Sequence, residues 1–176
     1  SSSTAVNTPI SGNSVLQNSF GTSLHVIGFS PTSHQGGTVS IQSNGIYFYL
    51  PPLNFSGLDT FSFTVQDATG NTGSGVASIQ VLPKGVDDFF QTPFETQLQG
   101  TSVFANDLGN GFRIVSYETP TSRCGAVVMQ PDGTFVYTPP ANFAGTDLFS
   151  YVGQDDAGSL FEAVVSITVG HPPIIA

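Results

Sequence analysis

Residues 124–171, CGAVVMQPDGTFVYTPPANFAGTDLFSYVGQDDAGSLFEAVVSITVGH, restate residues 36–83, GGTVSIQSNGIYFYLPPLNFSGLDTFSFTVQDATGNTGSGVASIQVLP, 88 positions apart. The two stretches align without a gap and share 20 identities in 48 positions, so the chain contains a duplication and not a chance likeness. The same offset continues upstream, pairing Gly12 with Gly100, Val15 with Val103, Asn18 with Asn106 and Gly21 with Gly109. Each unit is therefore a whole domain of about 88 residues, and the 176 residues divide into 1–83 and 84–176.

Within each unit the dominant pattern is apolar alternation of period two, which is the signature of half-buried strands. In the second unit Val127 and Met129 share a face, the PDG turn at 131–133 reverses the chain, and Phe135 and Tyr137 point inward from the returning strand. The first unit does the same with Val39, Ile41, the SNG turn, Tyr47 and Tyr49. Asp-Gly and Asn-Gly between alternating runs are strong hairpin signals, because they populate the positive-φ conformations that tight hairpins require. A Pro-Pro-x-Asn-Phe-x-Gly-x-Asp crossover follows at 51–59 and 139–147, and it cannot lie inside a sheet. Beyond it come Phe61, Phe63 and Val65 or Phe149 and Tyr151, and then Ala77, Ile79 and Val81 or Val165, Ile167 and Val169. Upstream, TQLQG, TSVF and FRIVSYE read as three further strands of unit two. No stretch has helical periodicity. The predicted fold is all-β: two tandem immunoglobulin-like sandwiches of about seven strands each, arranged end to end.

Composition narrows the function. Charged residues make up 9% of the chain, and Lys84, Arg113 and Arg123 are its only basic side chains apart from three histidines, against a net charge of −9. Phosphates would find no basic patch, which argues against a nucleic-acid partner. No apolar run is long enough for a membrane-spanning helix, so no membrane insertion is expected of this segment. Low charge and abundant hydroxyls favour an extracellular or cell-surface setting. Cys124 is the sole cysteine, so no internal disulfide forms; it reads either as a small half-buried filler at the head of a strand or as a thiol linking chains.

The start GVDDFF, the stretch SVFANDLGNG and the block PDGTFVYTPPANFAGTDLFSYVGQDDAG together resemble the tandem cadherin-like and bacterial Ig-like repeats of large adhesin-type surface proteins. The resemblance implies a stalk or adhesive module, with neighbouring repeats of the same parent chain as partners and calcium at domain junctions. Unit one departs from the pattern, with Ser19 for Asp107, Asn44 for Asp132 and Ala68 for Asp156. The junction Pro83-Lys84-Gly85-Val86 is short, the ending at 172–176 reads as the start of another linker, and unit one lacks a counterpart of Asp87-Asp88. The chain thus reads as a stretch of a longer array, with the N-terminal strand of repeat one truncated.

Acidic residues are uneven: 1–83 hold only Asp59 and Asp67, and 84–176 hold the other ten. In an up-and-down sandwich, Asp87, Asp88, Asp107, Asp132, Asp155 and Asp156 fall in elements at one pole, where a Ca²⁺ ion would offset their repulsion. The structural alternative has Asp87 starting a strand, Asp132 and Asp155 forming Asx-turns, and the rest facing water. Asp59 and Asp147, in the opposite corner, are expected to accept hydrogen bonds from backbone amides. No catalytic residues are expected: His25, His34 and His171 have no His counterpart in the other unit and no Ser and Asp partners in a recurrent arrangement. Asn54-Phe55-Ser56 is an N-glycosylation sequon, relevant only in a eukaryotic secretory pathway. Phe48, and behind it Phe89, Phe90 and Phe112, are the aromatic candidates for binding a glycan or a protein. The expected function is a non-catalytic spacer or adhesive stalk; the alternatives are a glycan- or protein-binding accessory module and a self-assembling subunit of a fibre or coat.

Overall fold

The structure, a computed structural model, describes residues 2–172. The linker expected at 172–176 lies, from 173 onward, outside the described residues. The chain splits into two compact units, Ser1–Leu82 and Pro83–Ala176, one residue before the boundary read from the repeat.

Unit 1 holds β1 (Ser2–Ala5), β2 (Ile10–Gly12), β3 (His25–Phe29), β4 (Thr38–Ile41), β5 (Tyr47–Leu50), β6 (Gly57–Gln66) and β7 (Thr72–Leu82). Unit 2 holds β8 (Asp88–Thr92), β9 (Leu98–Gly100), β10 (Arg113–Tyr117), β11 (Ala126–Met129), β12 (Phe135–Thr138), β13 (Gly145–Gln154) and β14 (Leu160–Val169). Each unit pairs a four-stranded sheet with a three-stranded one: β1-β7-β6-β3 with β2-β5-β4, and β8-β14-β13-β10 with β9-β12-β11. The first strand of each unit lies parallel to the last, and the other neighbours are antiparallel. This is the immunoglobulin-like sandwich expected from the alternation. The first strands of the two units correspond: β1, of four residues, pairs with β7 as the five-residue β8 pairs with β14.

Two details differ from the sequence reading. TSVF is not a strand; Val103–Ala105 form a 3-10 turn whose first backbone groups are held by the Ser102 hydroxyl, which accepts from Phe104 N at 3.3 Å. A residue with a short hydroxyl side chain competes for local backbone donors, and here the cap overrides the strand preference of Val and Phe. The seventh strand is β8 instead. Cys124 is exposed, not half-buried, and sits before β11 in a turn at φ 67, where unit 1 places Gly36 at φ 93.

The hairpins follow from their turn residues. Gly45 and Gly133 take φ 85 and φ 83, and their N–H groups close the turns onto Gln42 O and Gln130 O at 2.8 and 3.0 Å. The Asn44 and Asp132 side chains accept from the backbone two residues on, both at 3.0 Å. Inward positions then fill the sandwich. Val127, Phe135, Tyr137, Phe149, Tyr151, Val165 and Ile167 are buried in unit 2, and Val39, Tyr49, Phe61, Ile79 and Val81 in unit 1. Each such side chain contributes about 1.5–3 kcal/mol. Phe90 and Phe112, candidates for exposed binding aromatics, belong to this core: Phe90 meets Phe135 edge-on at 5.0 Å and Phe112 meets Phe161 at 4.8 Å. Both edge strands β3 and β10 carry a bulge, at Ile27 and Val115, a device that spoils an edge as a template for further pairing.

Candidate functional site

Two buried polar clusters stand out, and the duplication separates their roles. The first occurs in both units. Asp59 accepts at Oδ2 from Ser33 Oγ (2.5 Å) and Tyr49 OH (2.7 Å), and at Oδ1 from the amides of Gln35 (2.9 Å) and Thr60 (2.7 Å). Asp147 accepts at Oδ2 from Thr121 Oγ (2.5 Å) and Tyr137 OH (2.8 Å), and at Oδ1 from Ser122 Oγ (3.0 Å) and the amides of Arg123 (2.8 Å) and Leu148 (2.9 Å). The amide contacts are those expected of the two aspartates. Burial works to raise the Asp147 pKa, but the Thr121, Tyr137 and Arg123 donors outweigh it and hold the carboxyl below its usual range. Burial and the adjacent carboxylate push both tyrosines far up, so they remain donors. Glycine is obligatory beside this corner: a Cβ on Gly125 would come 2.6 Å from the Tyr137 ring, and one on Gly37 2.7 Å from that of Tyr49. A cluster built on the same plan in both units, with the Ser122 hydroxyl as an added donor in unit 2, holds the sandwich corner together.

The second cluster exists only in unit 2. Tyr151 OH donates to Asp107 Oδ2 at 2.8 Å, with Asp88 Oδ2 at 3.4 Å and Val103 O at 3.3 Å. Asp107 Oδ1 accepts from Val86 N at 2.7 Å, and Asn106 Nδ2 donates to Val86 O and Asp87 O at 3.2 and 3.0 Å. The entering chain, the loop after the 3-10 turn and strand β13 therefore meet around one hydroxyl. Asp88 is 7% exposed. Its burial, with Asp107 beside it, raises its pKa to about 7; burial raises Asp107 too. Two carboxylates that resist ionising together form a site that gains from a proton or a cation.

The six acidic residues expected at this pole do not gather into one site. Asp87 Oδ1 accepts from Val164 N at 3.0 Å. Asp132 closes its own turn onto Thr134 N and Oγ at 3.0 and 2.7 Å, and those bonds lower its pKa. Asp156 lies over Gly111, where a Cβ would come 2.1 Å from its Oδ2. Asp88 is in register with Val165, whereas Asp155 N bonds to Ser159 O, six residues away along the same chain segment, or roughly 20 Å at strand rise. Among the described residues no three His, Cys, Asp or Glu side chains are grouped to hold a metal. What the structure brings together is the pair Asp88 and Asp107. Tyr151 was missed by the sequence reading as one more core aromatic. Its signal is the offset: unit 1 has Phe63 for Tyr151 and Ser19 for Asp107.

Asp155 carries a different message. It is 1% exposed, its Oδ1 accepts from Ser159 N at 2.8 Å, and its Oδ2 is buried with no hydrogen-bond partner. Its counterpart Asp67 is satisfied by Thr69 N and Oγ, Asn71 N and Asn71 Nδ2, at 2.7–2.9 Å. Unit 2 has Ala157 and Ser159 at those places. Grafting the donors back with Ala157→Thr and Ser159→Asn is predicted to stabilise unit 2 by about 1 kcal/mol or more, read as a rise of several degrees in its melting temperature. An unchanged or lowered melt would refute the assignment.

Of the remaining candidates, Asn54 sits exposed at φ 55, exchanging hydrogen bonds with Asn7 at 2.8 and 2.9 Å. Phe48 is 41% and Phe89 81% exposed. His25, His34 and His171 are exposed. A shallow depression of about 630 Å³ on unit 2 is lined by Tyr117, Glu118, Pro120, Ser122, Leu148 and Val164, and unit 1 has a smaller one of about 260 Å³ at the matching positions.

A family model for the bacterial Ig domain matches the chain twice, over residues 1–80 and 82–168. The chain belongs to the bacterial Ig domain family. No curated protein matches it. Among solved structures, this pair of bacterial Ig domains is similar to an I-band fragment of titin, at 15% identity and TM-score 0.39, over 96% of this chain and 62% of that one. It is similar also to mouse clustered protocadherin PcdhgC3 EC1-3, at 13% identity and TM-score 0.38, over 96% and 65%. Mouse cadherin-23 EC22-24 matches at 15% identity and TM-score 0.35, over 85% and 52%. The chain thus spans between half and two thirds of the length of these structures. No helix among the described residues is long and apolar enough to cross a membrane.

Proposed function

We propose that this chain is a non-catalytic repeat module of a longer extracellular surface protein, acting as a spacer or adhesive stalk beside neighbouring repeats. The observation that carries the reading is the division into two units with separate cores, each closed by its own Asp-Tyr corner, so that every repeat adds length without depending on the next.

In unit 2 the Asp88–Asp107 pair is where a calcium ion would bind. The donor set suits a hard cation: two carboxylates whose pKa values burial raises, that of Asp88 further through the neighbouring Asp107, with the Asn106 side chain on the adjoining backbone. When bound, the ion would supply positive charge that ties the entering strand to the loop at Asn106-Asp107. The carboxylates of Asp132, Asp155 and Asp156 would take no part.

Pulling single molecules by their ends tests the spacer role. Two separate unfolding events are expected, each releasing roughly 30 nm of chain at about 3.5 Å per residue. A single joint event would contradict independent repeats.

A further inference from the structure

We infer that the outer face of the β2-β5-β4 sheet in unit 1 is a homotypic contact face, whose occupant is the same face of a second copy of this chain. The outward side chains of β5, together with Ile46 just before it, are apolar: Ile46, Phe48 and Leu50, at 42%, 41% and 40% exposure, with the exposed polar Ser43 and Asn44 confined to the tip of the turn. Register places Phe48 between Ser11 on β2 and Ser40 on β4, and Leu50 beside Thr38. The face is an apolar ridge flanked by hydroxyls and carries no charge.

The fold does not require this ridge. The matching positions on β12 and its turn in unit 2 are Thr134, Val136 and Thr138, so the duplicated sheet stands with polar or smaller residues there. What unit 1 has kept costs solvation and wants a cover.

Charge selects the occupant. Two copies of a chain with net charge −9 repel wherever unit 2 is presented, since 84–176 hold ten of the twelve acidic residues. Residues 1–82 have no Lys or Arg and only Asp59, which is buried, and Asp67. Unit 1 is therefore the surface through which copies approach without opposing like charges, and a charged partner would find nothing on the ridge to pair with. At about two-fifths exposure each, three side chains offer only part of the roughly 800 Å² per partner buried in a stable complex. The contact is weak singly and takes effect where copies are held close together.

The inference rests on the reading of the chain as a repeat module. Sedimentation equilibrium up to about 1 mM chain, in a Cys124→Ser background that removes disulfide linkage, tests it. The expected result is reversible dimerisation that weakens tenfold or more, about 1.4 kcal/mol, in Ile46→Thr/Phe48→Val/Leu50→Thr. Those substitutions install unit 2's own residues, and an unchanged melt confirms that the variant is folded; should it fail to fold, Phe48→Ser alone gives the same reading. A chain that stays monomeric overturns the inference, as does association that the variants leave intact. So does a monomer whose ridge amide signals shift only on adding an oligosaccharide. None of these outcomes bears on the pulling experiment, so failure of the contact and failure of the spacer reading are told apart.

Discussion

Replacing Asp147 with alanine is expected to destabilise unit 2 by about 3–5 kcal/mol, enough to lower its melting temperature by roughly 15 °C or more and leave unit 1 unmoved. The carboxylate is fully buried and accepts from Thr121, Ser122, Tyr137, Arg123 and Leu148. Truncation orphans all of these donors at once, and a buried donor without an acceptor carries its full desolvation cost. Domains of this size are typically stable by only about 5–15 kcal/mol, so unit 2 would lose a large fraction of its margin. Asp59→Ala should do the same to unit 1 alone. Because donors hold the Asp147 pKa below the ordinary value, the stability it contributes is present above about pH 4 and is lost as pH falls further. Calorimetry on each variant checks the claim; a shift under a few degrees would mean the corner is held by something else.

The Asp88–Asp107 pair should act in the opposite sense. A carboxyl whose folded pKa lies above its unfolded value binds a proton more tightly when folded, so stability is lost as pH rises from the ordinary 3.8 to about 7. In chelator, unit 2 should therefore be more stable at pH 5 than at pH 8, by on the order of 2–4 kcal/mol. Asp88→Asn removes the charge, and its amide can donate to Asp107. At pH 8 in chelator that variant should melt several degrees higher than the parent, and its pH dependence should flatten. Equal melts at the two pH values would show that the pair ionises freely.

Much of the fold was legible because local chemistry and global pattern agree. Asn44-Gly45 and Asp132-Gly133 fix two hairpins, the Pro-Pro crossovers end strands, and alternation from Phe61 to Val65 and Phe149 to Tyr151 assigns the buried face. TSVF failed because a single capping hydroxyl at Ser102 outweighed strand propensity, and propensity is a weak term at short segments. Phe90 and Phe112 failed because their sequence position does not reveal which neighbouring aromatics, Phe135 and Phe161, lie within reach. The candidate site was half legible. Topology put the acidic loops at one pole, but charge counting carries no distances, and Asp155 sits several strand residues from Asp88. Tyr151 was hidden among core aromatics, although the change from Phe63 marked a hydroxyl that one repeat has and the other lacks.

The most direct measurement is calorimetric melting of the two-unit chain at pH 8 in millimolar Ca²⁺ and in chelator, for the parent and for Asp88→Asn/Asp107→Asn. The account predicts that calcium raises the unit 2 transition of the parent by several degrees and leaves that of the double variant where it was in chelator. Coincident parent curves, or a calcium shift that the double variant keeps, would contradict a cation at this pair.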